Sequence, residues 1–188
     1  SRACCSVMKD ATSTLTPTGQ TKAAMLRYAK SLGMFEFCSH TRSCSRNLRR
    51  TKKTSARSCG LCGGCLLRRC ALIAAGLGDR ERKERFVWKN LRAPSLRQSG
   101  SVGVSEHDKN VAVTNILNMR FMADLSTDAL ASSTIRVAGE AASALGLEQA
   151  SALDRLRGLI DDHRSDWVSF LDHLGPSSWV TRLGRPLE

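Results

Sequence analysis

Apolar positions recur at helical spacing along most of the chain. In TKAAMLRYAKSL, residues 21–32, Ala24, Met25, Tyr28 and Leu32 fall on one face and Gly33 follows as a stop, which predicts a helix. CLLRRCALIAAGL, from Cys65, puts Leu66, Leu67, Cys70, Ile73 and Ala74 on a common stripe and ends at Gly76 or Gly78, a second helix. Four more are expected over 107–124, 127–145, 148–160 and 163–174. Ser126 and Thr127 serve as N-caps, Gly146 as a C-terminal stop, and the acidic DDH at 161–163 as a break. Trp167, Phe170, Leu171 and Leu174 repeat at three- and four-residue steps and read as a face packed on a core. Only MFEF, residues 34–37, suggests a strand or buried turn. The expected class is mostly α.

Between these stretches the polar segments set the organisation. TSTLTPTGQ reads as loop, and so do residues 45–58, where Leu48 is nearly the only apolar side chain among arginines and lysines. Residues 79–92 are highly charged, with Phe86, Val87, Trp88 and Leu91 as apolar anchors. The Pro, Gly and Ser content after Ala93 suggests a linker over 93–106, separating a first domain (1–92) from a helical extension (107–188).

Charge reinforces that division. Residues 1–100 carry 21 Lys and Arg against 5 Asp and Glu, and the remainder 8 against 12. A basic first part suits phosphates or another anionic partner. No apolar run approaches the ~20 residues that cross a bilayer, and there is no secretory leader pattern, so a cytoplasmic protein without a membrane partner is expected. A first residue of Ser1 suits a processed product, an excised domain or the end of a longer gene.

The chemistry lies in the cysteines. Cys59, Cys62 and Cys65 stand at three-residue intervals, and fourteen residues separate Cys44 from Cys59. A CxxC step lets two thiolates reach one ion from a tight turn, and Gly60, Gly63 and Gly64 give the backbone freedom to wrap it. Four thiolates suit Zn²⁺ in a closed, structural site over 44–65, with an iron–sulfur cluster as the chemical rival. The fourth ligand is open between Cys44 and its near neighbours Cys38 and His40. Cys4, Cys5 and Cys70 read as unligated, Cys70 because it sits on its helix's apolar stripe.

In order, TP at 16–17, TK at 21–22, a helix ending in Leu-Gly, TRSCS at 41–45 and CGLCGGCLLR at 59–68 form a pattern. It resembles the C-terminal region of the 7-cyano-7-deazaguanine synthases, the QueC family, over residues 15 to about 80. The long loop and the SCSRN spelling are similar to the QueC-like (QatC-type) component of a bacterial anti-phage defence operon. The resemblance implies the C-terminal part of an α/β PP-loop ligase that uses ATP to adenylate a deazapurine carboxylate, form an amide and, in the parent enzymes, dehydrate it to a nitrile. It implies Cys44, Cys59, Cys62 and Cys65 as zinc ligands, and Lys22 and Arg68 as candidates to meet substrate or ATP phosphate charge. The family's SGGxDS pyrophosphate loop does not occur in this sequence; SGSVGVS at 99–105 differs in spelling and follows the cysteines. This chain alone is therefore expected not to activate a carboxylate and to be the C-terminal portion of a longer enzyme or a degenerate gene product.

Two further readings stand beside that one. A zinc-stabilised nucleic-acid module would grip phosphates with Arg46, Arg49, Arg50, Lys52, Lys53, Arg57, Arg68 and Arg69, although residues 44–72 hold no aromatic side chain for base stacking. An interaction subunit would use the C-terminal helices to dock a partner, with Trp167 and Trp179 as candidate anchors and burial the more natural place for Trp167.

Overall fold

The structure is a computed structural model that describes residues 19–34, 36, 41, 43–45, 58–100, 103–125 and 131–185. It is mostly helical, and among the described residues there is no strand. The elements are α1 (Lys22–Ser31), α2 (Gly63–Ala74), α3 (Gly78–Lys83), a 3-10 turn (Leu96–Gln98), α4 (Glu106–Asp124), α5 (Ala131–Leu145), α6 (Gln149–Leu174) and α7 (Trp179–Gly184). Among the described residues no helix is long and apolar enough to cross a membrane.

Helix α1 starts where its cap allows. The Thr21 hydroxyl accepts the Ala24 N–H at 3.2 Å, and the far end closes with Gly33 N–H donating to Lys30 O and Met34 N–H to Ala29 O. The apolar stripe read from the sequence is not the buried face. Met25, Tyr28 and Leu32 are exposed, and Ala23 is the buried side chain. The helix is turned toward α2 by Arg27, which donates to Ala74 O at 3.0 Å, one of the carbonyls left unpaired at the end of α2, and lies 3.4 Å from Asp166. Satisfying an orphan carbonyl and a carboxylate decides the rotation, and hydrophobic spacing cannot register that.

The break expected at residues 161–163 is also corrected, because α6 runs unbroken through them for 26 residues, ~39 Å at 1.5 Å per residue. Charge alone does not stop a helix, and even Gly158, a residue that costs a helix interior ~1 kcal/mol, lies within α6 without breaking it. This polar turn serves α4 instead. His163 meets Met119 O at 3.1 Å, while Arg164 donates to Ala123 O at 2.6 Å and Leu125 O at 2.8 Å, carbonyls that the end of α4 leaves free. At its other end α4 begins with a capping box between Ser105 and Asp108.

One cluster of buried side chains holds most of the structure together. Trp167, Phe170, Leu171 and Leu174 of α6 are buried as their spacing predicted, against Leu66, Cys70 and Ile73 of α2, Ala112 and Ile116 of α4, and Trp179 and Val180 of α7. The indole of Trp167 donates to Gly184 O at 2.7 Å and that of Trp179 to Ser99 Oγ at 2.8 Å, so both rings are buried with their polar edges satisfied. Residues from both sides of the 93–106 segment share this cluster. Within the segment Ala93 and Ser99 are buried, and Ala93 O accepts the Trp179 N–H at 3.1 Å. A smaller contact joins α5 to α6 through Ala138, Ala142 and Ala152.

Of MFEF, Met34 is exposed and Glu36 pairs with Arg80, while Phe35 and Phe37 lie outside the described residues, as do Ser126, Thr127 and 46–57 of the basic loop. Helix α5 ends at Gly146 as expected, with Leu147 N–H closing on Ala142 O at 2.9 Å.

Candidate metal centre

The four cysteines converge. Cys59 follows the bridge that Ser58 makes with Phe86, Cys62 is the N-cap of α2, Cys65 lies in its first turn, and Cys44 comes from the far side of the basic loop. Their sulfurs all lie within 4.8 Å of one another, with Cys59 to Cys65 at 3.8 Å and Cys62 to Cys44 at 4.0 Å. Zn–S bonds of ~2.3 Å in a tetrahedron imply S···S edges of ~3.8 Å, whereas a disulfide would bring sulfurs to ~2.05 Å. The cysteines are free thiols, and their spacing fits a tetrahedral ion.

Local backbone explains the convergence. Cys62 N–H and Leu61 N–H point at Cys59 Sγ, at 3.3 and 3.4 Å, and Cys59 N–H at Cys44 Sγ, at 3.4 Å. Such donors stabilise negative sulfur. Gly60 makes the turn at φ +90°, and a Cβ there would meet Trp88 O at 2.7 Å; one on Gly64 would lie 1.9 Å from Ser43 O. Glycine at 64 is therefore what lets the Cys44 segment lie against the first turn of α2.

The electrostatics of the metal-free thiols point the same way. Cys62, receiving hydrogen bonds from Cys59 and Cys65, is held far below the ordinary thiol range. Cys59 is pushed up to about 11, first by its bond to Cys62 and further by burial, and Cys65 is pushed up by its bonds to Cys59 and then Cys62, and next by burial. One thiolate thus suppresses ionisation of the next, and four become anionic together only around a cation. Cys59, Cys62 and Cys65 are buried and Cys44 half-buried, so the site can bind a metal such as zinc in a closed setting suited to holding segments together.

Beside the cluster, Arg69 has a role the sequence reading missed. It is 2% exposed, stacks 4.5 Å over Phe86, pairs with Glu81 at 2.6 Å, and donates to Trp88 O at 2.8 Å and Lys89 O at 2.6 Å. Burial pushes its pKa down and Glu81 opposes that. It clamps residues 86–89, whose Trp88 N–H bonds Cys59 O at 3.1 Å, and so braces the cluster from behind. It cannot also grip a phosphate at the surface. The signal was present: residue 69 lies four after Cys65 and three after Leu66, on the buried face.

The other candidates are dispersed. The Arg68 guanidinium pairs with Glu84 at 2.6 Å and donates to the Thr41 hydroxyl at 2.9 Å. Lys22 is exposed in the first turn of α1 and lines an apolar cavity of about 540 Å³ that also takes in Leu67, Met119, Val137, Ile160 and His163. Cys70 is buried away from the cluster, its thiol on Asp166 O at 3.4 Å and its pKa raised by burial and then by the Asp166 charge. Cys4, Cys5, Cys38 and His40 lie outside the described residues.

Fold and site together define a helical protein with a largely buried cluster of four cysteines that can bind a metal. Comparison with protein-family models, with curated proteins and with solved structures finds no match to this chain.

Proposed function

We propose that the four cysteines form a structural zinc knuckle in the C-terminal portion of a QueC-like, ATP-dependent ligase that acts on a 7-carboxy-7-deazaguanine-type substrate, in an anti-phage defence setting. The observation that carries the reading is the way the two most specific pieces of the resemblance meet. Cys44 of TRSC joins Cys59, Cys62 and Cys65, and Thr41 of the same piece accepts a hydrogen bond from Arg68, the arginine that ends CGLCGGCLLR. Residues separated by the whole basic loop thus form one polar and metal-ligating unit.

In this reading the zinc ties the Cys44 segment to the start of α2 and does not activate water, because four thiolates leave it no open position. Arg68, engaged by Glu84 and Thr41, positions the knuckle; Lys22, exposed beside a ligand-sized cavity, is the residue free to meet adenylate or phosphate charge. ATP binding itself belongs to an SGGxDS loop supplied from outside these 188 residues.

The test is co-expression with the coding sequence upstream, followed by an assay of AMP release from ATP with 7-carboxy-7-deazaguanine and ammonia. AMP release that needs the substrate and disappears with Cys62→Ser supports the ligase. No upstream PP-loop sequence, or no release from a folded, zinc-loaded assembly, overturns it. A basic zinc module that binds nucleic acid is the second reading; it would show as tight RNA or DNA binding with a steep salt dependence.

A further inference from the structure

Toward the C-terminal end of α2, beyond the cysteines, a cleft of about 490 Å³ opens between the end of α2, α3, residues 89–100 and the last turn of α6. Its charges are unbalanced. Glu81 is the single carboxylate in the wall and is committed to Arg69, while Arg82, Lys89 and Arg92 also face the cleft. Arg82 has only a loose, exposed pairing with Asp79 at 3.7 Å. Among the described residues neither Lys89 nor Arg92 has an ion-pair partner, and Arg92 donates instead to the Nε2 of His173 at 2.7 Å. A neutral imidazole orients a guanidinium without cancelling its charge. Behind them the buried Arg69 forms part of the wall, its guanidinium taken up by Glu81 and by the carbonyls of Trp88 and Lys89. Lys89 and Arg92 are therefore the cations that the wall leaves uncompensated, and an anion in the cleft would meet both.

The rest of the lining sets the class of ligand. Ile73, Leu91 and Leu174 give the cleft an apolar floor, and Asn90 and Gln98 bring amides to its edge. Its volume falls in the ~300–1,000 Å³ range of small-molecule sites. An apolar floor with a cationic rim suits a flat apolar body that carries a compact anion.

We propose that this cleft binds a small phosphate monoester with a nucleobase-sized body, its phosphate held by Lys89 and Arg92. Arg92, held by His173, meets the phosphate with a fixed guanidinium, and the apolar floor takes the ring. The site shares no residue with the metal centre and does not rest on the ligase reading; it stands or falls by direct binding.

Calorimetric titration of the zinc-loaded full chain with AMP, with adenosine and inorganic phosphate as partial probes, tests it. The expected result is one saturable AMP site, at least tenfold weaker in Lys89→Ala and in Arg92→Ala and unchanged in Arg136→Ala, which removes one positive charge from the exposed face of α5. Adenosine and phosphate should each bind at least tenfold more weakly than AMP. Lys89 is exposed, so its variant reports on binding even if loss of the Arg92–His173 contact disturbs folding. Absence of saturable AMP binding, equal weakening by Arg136→Ala, or adenosine binding as well as AMP would overturn the proposal. So would a single-stranded RNA without a terminal phosphate that displaces AMP, which would reassign the cleft to a polynucleotide.

Discussion

At the scale of single residues, burial separates the roles of chemically identical side chains. Cys62 and Cys70 are both buried, yet one belongs to a set of four sulfurs and the other bonds a carbonyl. Cys62→Ser should reduce bound zinc from one per chain to a small fraction, measured by elemental analysis, whereas Cys70→Ala should keep the zinc and lose about 1 kcal/mol of stability from the vacated volume. Arg69 makes the sharper case. Replacing it with Met leaves Glu81 buried without its partner, an expected loss of ~3–5 kcal/mol in denaturant unfolding, and Arg69→Met with Glu81→Met together should recover much of it. His173 sets a pH dependence. Burial, and next the Arg92 charge, lower its pKa below the ordinary 6.5, so the unfolded chain takes up its proton first as pH falls. The His173 contribution is complete above 6.5 and declines as pH drops from there toward the lowered folded value. Thermal melts of His173→Gln should lack that part of the acid decline, and an identical acid profile in both proteins would refute the assignment.

Among elements, the informative contacts are those where one helix completes another. Arg164 of α6 donates to two terminal carbonyls of α4, so Arg164→Ala should cost ~1–3 kcal/mol and raise amide exchange in the last turn of α4. Helix α1 was legible as a helix, down to its Thr21 cap and Gly33 stop, but its orientation was not. That depends on Arg27 finding the end of α2, a carbonyl supplied by residues nearly fifty positions away. Gly64 acts at the same scale. A methyl in Gly64→Ala would press against Ser43 O, and zinc should then bind with three protein thiolates and at least tenfold lower affinity in a competition titration against a chromophoric chelator.

For the whole molecule, the cysteine cluster and the hydrophobic core are continuous. Cys59, Cys62 and Cys65 belong to the same buried cluster as Trp167, Phe170 and Trp179. Removing zinc with a strong chelator should therefore lower tryptophan burial and helical circular dichroism together, in a single transition. A chelated protein that keeps its native tryptophan emission would show that the core stands without the metal. The run of Pro, Gly and Ser after Ala93 offered a natural place to divide the chain, yet Ala93 and Ser99 are buried under α7, with Ser178 Oγ on Leu91 O at 2.7 Å. Composition reports how easily a segment bends, and only packing decides whether it is covered.

What the sequence determined by itself was local. The mostly helical class, the core face of α6 and the four-cysteine set all follow from spacings of three or four residues and from ligand chemistry that one segment largely contains. Cys44 is the partial exception, since spacing did not exclude Cys38 or His40 in its place, and the structure shows its sulfur among the other three. The tertiary structure decided what depends on distant partners: the rotation of α1, the continuity of α6 through its polar turn, the burial of Arg69 and the unbalanced charge of the cleft beside it. Each turns on a charged or hydrogen-bonding group meeting its complement across the fold, and such pairings leave no period in the chain.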